Sequence, residues 1–298
     1  MNPSVRNRQS SLRWGVEQRL EFIEFRLFWE GRLNRSDLMQ MFGVSVNQAS
    51  ADLNRYLKFA PENMIYNRSE RAYLRSPVFS PVFLSLDSDL YLNQLRSVAD
   101  GVLARDNSWI KEYPAYDGAP SPKRIVNAGT LQLVLEALRG RQAVEVRYQS
   151  LSYPLPRWRW IAPHATGFDG FRWHLRACCE ESGKFKDFLV ARIIETRGIR
   201  AARSDPRLDR DWHEYTEIVI GPNPGLSDSQ RQVVALDYGM QGDQVTLRVR
   251  RALLYYAIKR LGLGEDGSER TPEQQHIVLL NRDDIDSDLL SEDGRETA

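Results

Sequence analysis

The sequence predicts an α+β chain of several domains: a helical head, a central small β-barrel-like (Sm/SH3-like) domain and a C-terminal α+β unit. Three observations carry this. Apolar residues recur at helical spacing up to residue 59, the period changes to two at residue 142, and strands alternate with helices from residue 215. At 298 residues the chain is too long for one ordinary domain, and its 42 % hydrophobic content supplies more than one core.

In residues 14–30, Val16, Leu20, Ile23 and Leu27 mark one helix face, which Phe28 and Trp29 widen. Asn34, with Asp37 three residues on, caps a second helix that stops at Gly43. Ser45 then opens a third, and Gln48 is placed to complete an S-x-x-Q capping box. Ala49, Leu53 and Tyr56 form its buried stripe, and Pro61 lies just beyond its end. Two short helices joined by Gly-Val-Ser form a helix-turn-helix pattern. Met64–Tyr66 and Ala72–Leu74 flank an Arg-containing turn and predict a wing, so residues 14–75 predict a winged helix-turn-helix.

A helical segment, 88–105, and a Pro-rich loop, 106–122, precede a helix that ends at Gly140. Next come the short strand patterns AVEVRYQS, RWRWIAP, FRWHLRA and KDFLVARII, spaced as in a curled antiparallel sheet. The charged run DPRLDRDWHE closes that domain. The remainder is strand, helix, strand, helix, strand, followed by an acidic tail. Expected boundaries are 1–85 for the winged helix-turn-helix head, 86–140 for a helical linker, 141–206 for the central β domain and 212–298 for the C-terminal extension with its acidic tail.

The net charge of +1 is unevenly spread. Residues 1–80 hold 12 Lys/Arg against 8 Asp/Glu, whereas residues 265–298 hold 3 against 11. No signal peptide or ~20-residue apolar span is present, and the two cysteines, Cys178 and Cys179, are adjacent. A cytoplasmic protein without a membrane segment is expected.

On the third helix the face opposite the core carries Asn47, Gln48, Asn54 and Arg55, with Ser45 and Ser50 near its start. Amide side chains pair with adenine edges, and arginine pairs with guanine or phosphate. Arg68 and Arg71 on the wing suit phosphates or a minor groove. The alternative is a three-helix protein-interaction head with a solvated polar face.

The strand GFRWHLRACC splits by period two. Phe171, Trp173, Leu175 and Ala177 would face a core, while Arg172, His174 and Arg176 would form a cationic row with ~6.6 Å spacing. Arg192 sits among apolar neighbours in the following block and needs a partner. Cations converging without an excess of carboxylates suit a phosphate or carboxylate, with Ser150, Ser152 and His164 assisting. A solvated face is the alternative.

The four histidines provide no metal-ligand pair, and no nucleophile elbow or phosphate loop is present. The literal GxGxxG at 262–267 follows a helix, so Gly262 is expected to be a helix C-cap. Neither an enzyme nor a cofactor is expected.

RWHLRA resembles the signature of WYL-domain transcriptional regulators, with His174 where the tyrosine usually stands. APH before it and DFLVARI after it resemble the flanking blocks, and the order of domains is similar over essentially the whole chain. The chain looks most like regulators encoded beside antiphage systems of the BREX and CBASS kind. The resemblance implies a homodimeric repressor of a defence operon on a pseudo-palindromic DNA operator. It also implies an anionic nucleotide or oligonucleotide effector bound by the central domain. The other class that fits is a sensor of such a ligand that regulates a partner effector protein.

Overall fold

The computed structural model describes residues 14–119, 122, 124–264 and 270–285. The chain falls into two units, residues 1–121 and 122–298.

In the first unit α1 (Trp14–Glu30) lays Leu20, Ile23 and Leu27 against α2 (Arg35–Phe42) and α3 (Val46–Phe59). Leu38, Ala49, Leu53 and Tyr56 complete that core. Asn34 and Asp37 form a full capping box at the start of α2. Gly43 ends α2 at φ +63°, a left-handed turn that a side chain would strain. The short β1 (Arg32–Leu33) pairs with β3 (Ala72–Arg75), which pairs with β2 (Met64–Asn67), giving the order β1-β3-β2. The β2–β3 hairpin is the wing.

The back of α1 holds the segment that follows. Glu24 is fully buried and accepts the backbone N–H groups of Val82, Phe83 and Leu84, plus the Tyr56 hydroxyl. Burial pushes this carboxyl up, and the hydrogen bonds oppose the shift. Phe25 and Trp29 pack with Tyr91 of α4 (Ser88–Ala99) and with Trp109. The helix expected over 88–105 therefore ends six residues early, and Arg105–Asn107 form a single 3-10 turn.

In the second unit α5 (Ala128–Gly140) packs Val134 and Ala137 on a five-stranded antiparallel sheet. Its strands are β4 (Gln142–Tyr148), β5 (Arg157–Phe168), β6 (Trp173–Cys179), β7 (Lys184–Leu189) and β8 (Ile193–Ala201), in the order β7-β6-β5-β4-β8. The ladder leaves β7 and β8 as edges, so closure into a barrel is not seen in the strand pairing of the described residues. Residues 205–214, including α6 (Arg210–His213), lead into β9 (Tyr215–Pro222).

Strand β9 lies between β10 (Val245–Arg250) and β11 (Ile277–Leu279). The helices α7 (Asp228–Asp237) and α8 (Leu254–Arg260) supply Val234, Leu254 and Ile258 to a core with Ile218, Ile220 and Ile277. Gly262 lies just past α8 at φ +69°, the left-handed position expected of it. The rest of the GxGxxG match, from Glu265, and most of the acidic tail lie outside the described residues. No helix among the described residues is long and apolar enough to cross a membrane.

Candidate nucleic-acid interface and a buried ionic hub

Helix α3 begins at Ser45, whose hydroxyl accepts the Gln48 N–H. Asn47 and Asn54 are exposed, and neither side chain is hydrogen-bonded to a described residue. The Ser50 hydroxyl donates to the Val46 carbonyl at 2.8 Å. Ala49, Leu53 and Tyr56 hold the opposite face in the core, so the polar face is fixed outward. The wing turn places Arg68 and Arg71 in solvent, with no ion pair to a described residue. Glu70, beside them, is held by Arg32 and Asn67.

Gln48 departs from expectation. Its side chain does not return to the Ser45 N–H, so α3 has half a capping box. Instead its amide nitrogen donates to both oxygens of Asp52 at 3.0 Å. Asp52 is 0 % exposed and also accepts from Arg19 of α1 at 2.6 Å. Arg55 stands 3.9 Å from the same carboxylate. A charge-assisted bond to a carboxylate outcompetes a neutral bond to a backbone N–H, which explains the choice.

In the second unit β6 is buried on both faces. His174 and Arg176 are nearly as enclosed as Leu175 and Ala177, whereas Trp173 is 58 % exposed and packs at a tilt against Phe168. Phe171 is also exposed. The expected split into a core face and a cationic row open to a ligand is thus not seen, since both faces are covered and Trp173 is outside the core. The reason is a second layer: α8 places Tyr256 against the His174 ring, with centroids 4.3 Å apart. Leu253 packs so close to Gly167 that a Cβ there would lie 2.9 Å away.

The cations on that face are matched by carboxylates. Arg176 donates through Nε and Nη2 to Asp209 at 2.7 and 2.8 Å, through Nη1 to Asp187 at 3.2 Å and through Nη2 to Asp211 at 3.3 Å. Asp187 is its direct partner across the β6–β7 ladder and also accepts from the Tyr256 hydroxyl. His174 Nε2 and Arg172 Nε both meet Asp169, at 2.8 and 3.0 Å, and His164 Nε2 meets Asp209 at 2.9 Å. Burial works to raise Asp169 and Asp209, but these hydrogen bonds outweigh it and hold both at about 2. Asp187 is pushed up by burial against the pull of Arg176. The same carboxylates keep Arg176 above its ordinary value although burial acts to lower it.

Three family models match the chain. They are the BrxR transcriptional regulator winged helix-turn-helix domain over residues 15–97, the WYL domain over 129–197 and the BrxR transcriptional regulator C-terminal dimerization domain over 215–285. A protein of Stenotrophomonas maltophilia named DNA-binding transcriptional repressor CapW is 40 % identical over 277 residues, 93 % of each chain. Proteins of the same name from Pseudomonas aeruginosa and Escherichia coli (strain KTE188) are 38 % and 37 % identical. They cover 97 % and 95 % of this chain and 96 % and 94 % of their own. The chain belongs to the CapW family.

In this CapW-family chain the residues singled out from sequence divide clearly. Ser45, Asn47, Gln48, Ser50, Asn54 and Arg55 share α3, and Arg68 and Arg71 share the wing. Arg172, His174, Arg176 and His164 share one hub, but it contains Asp169, Asp187 and Asp209, so the expected excess of cations is absent. Arg192 lies apart, on the 3-10 turn Val190–Arg192, half-buried and without an ion pair to a described residue. Ser150 is buried, and its hydroxyl accepts the Ser152 N–H. Sequence reasoning missed the acidic half. Asp209 and Asp211 stood in the run read only as the end of a domain, and Asp52 stood on a stripe read as apolar.

Proposed function

We propose that the chain is a homodimeric transcriptional repressor whose α3 helices and wings bind a pseudo-palindromic double-stranded operator. The observation that carries this is the capped helix with Asn47 and Asn54 uncommitted among the described residues, beside two wing arginines that lack carboxylate partners among the same residues. Neutral amides can read base edges, and free cations can neutralise phosphates. The relatives named as DNA-binding transcriptional repressors support repression, and the family resemblance supports a phage-defence operon as target. The description of the model matching residues 215–285 supports pairing through the C-terminal unit. Val233 and Leu236 of α7 are exposed apolar residues there, and Leu236 is 83 % exposed. Residues 1–85 bind DNA in this reading, 86–140 link, 141–206 sense and 212–298 dimerise.

Two recognition helices of one dimer enter major grooves about one turn apart, ~10 bp, or a multiple of it. Footprinting of the DNA upstream of its own operon tests this. Two protected half-sites at such spacing are expected, and protection spread evenly over the fragment refutes it.

The ionic hub favours a specific mode of regulation. An anionic nucleotide or oligonucleotide would reach Arg176 by displacing Asp209 or Asp211, with the partly exposed Arg172 as a second cation and Arg192, apart from the hub, as a further one. Asp209 and Asp211 belong to the connector into β9, so their release would loosen the C-terminal unit. A coupling of ~1–3 kcal/mol suffices to change operator occupancy. Calorimetry with short oligonucleotides, on wild type and on Arg172→Ala with Arg192→Ala, tests it. Equal binding by both proteins rules the pocket out.

A further inference from the structure

The outward face of α3 is not polar throughout, and its apolar members limit which bases it can favour, an inference that rests on the reading of α3 as the DNA-recognition helix. Asn47, Ala51, Asn54 and Lys58 are exposed and follow one another at helical spacing, so they form the line opposite the buried Ala49, Asp52, Leu53 and Tyr56. Ala51 is the one member of that line without a polar group. Val46, the first residue of α3, is 46 % exposed. The first turn of a solvated helix favours acidic and polar residues, and an exposed β-branched valine gains nothing there from water or from helix propensity. An exposed alanine alone would be ordinary helix surface. Here it lies between two amides, Asn47 one turn before it and Asn54 one turn after, and neither side chain is hydrogen-bonded to a described residue.

We propose that Val46 and Ala51 read thymine by packing against its 5-methyl group in the major groove, and that with Asn47 and Asn54 they direct the chain to half-sites with A·T pairs beneath α3. A side chain without donor or acceptor cannot tell bases apart by hydrogen bonding. The apolar group that marks a base in the major groove is the thymine methyl, and the other edges present donors and acceptors. An amide uses both of its ends on one base at adenine, with its oxygen on N6–H and its NH2 on N7. Adenine and thymine share one base pair, so the amide contacts and the methyl contacts favour the same A·T pairs. The short Ala51 side chain also lets the middle of α3 approach the base edges, which a long residue at that place would hold off. Val46 and Ala51 stand roughly 7.5 Å apart along the helix axis, so each meets a thymine of its own.

The test uses duplexes taken from the DNA upstream of the chain's own operon, with each thymine of one footprinted half-site replaced in turn by deoxyuridine. The replacement removes the methyl group and leaves base pairing intact. Affinities are read by fluorescence anisotropy. At the thymine that each residue meets, wild type should lose about fourfold, the effect of one buried methyl group. Val46→Ala and Ala51→Gly should each abolish the loss at one thymine and leave it at the other. Any loosening of α3 by the substitution weakens the thymine and uracil duplexes alike and cancels in their ratio. If Ala51→Gly does not fold, as judged by circular dichroism, Val46→Ala decides alone. Specific wild-type binding that is indifferent to uracil at every position overturns the proposal while leaving operator binding intact. So does a half-site without thymine, or an undiminished loss in the variants that fold. A wild type that binds operator and scrambled duplexes equally overturns the operator reading and this proposal together.

Discussion

Replacing Arg176 with alanine tests the ionic hub at its centre. The substitution removes a guanidinium that holds Asp209 with two bonds and Asp187 with one, and leaves both carboxylates enclosed. Asp211 adds little to the estimate, because its side chain is 36 % exposed and solvent screens it. Removing one partner of a buried ion pair costs about 3–5 kcal/mol, chiefly through the uncompensated charge left behind. At 2–4 °C per kcal/mol for a unit of this size, the melting transition of the second unit should fall by roughly 6–20 °C. The assay is thermal and urea unfolding of full-length protein followed by circular dichroism. The deficit should also depend on pH. Asp209 is held at about 2 in the folded protein, below its unfolded value near 4. Its contribution is therefore present above about pH 4 and is lost as pH falls toward 2. In the variant the freed carboxylates take up protons more readily, so the gap to wild type should be widest at pH 7 and close as the solution is acidified. An Arg176→Ala protein within about 1 kcal/mol of wild type at pH 7 refutes the claim that this network ties β6 to the connector.

Arg55→Ala should weaken operator binding by about 1–3 kcal/mol while light scattering still reports a dimer; unchanged affinity removes Arg55 from the interface. Tyr56→Phe removes the hydroxyl that donates to Glu24 and accepts from Asn63, and should lower the urea midpoint by an amount equal to about 1–2 kcal/mol; no change would mean that Glu24 is satisfied by the backbone alone. Gly170→Ala forces a side chain onto a backbone at φ +92° and against the Arg260 guanidinium, so the second unit should lose roughly 1–3 kcal/mol, read by its melting transition.

The winged helix-turn-helix was legible because its signals are local: Asn34 with Asp37, Gly43, Ser45 and Pro61 mark boundaries within a few residues of the elements they end. The strands of the central sheet were legible from their period of two. The interior of the hub was not, because its parts are far apart in the chain. Arg176 meets Asp187 across a strand pair, Asp209 on the connector and, through Asp187, Tyr256 on α8. A strand covered on both faces has no solvent side, so alternation could not say which face of FRWHLRA was exposed. Trp173, assigned to the core by period, is the exposed residue, and Arg176, assigned to a cationic row facing a ligand, is enclosed among carboxylates. Charge deceived in the same way at α3: Asp52 fell on the apolar stripe next to Leu53, and only the fold brings Arg19 to it.

Operator recognition by the first unit is the central claim, and a competition gel-shift tests it most directly. Labelled DNA from upstream of the chain's own operon is bound by full-length protein and challenged with the same fragment or with its scrambled sequence at physiological salt. The cognate competitor should displace the label at a concentration at least ~10³-fold lower than the scrambled one. Equal displacement by both would contradict it.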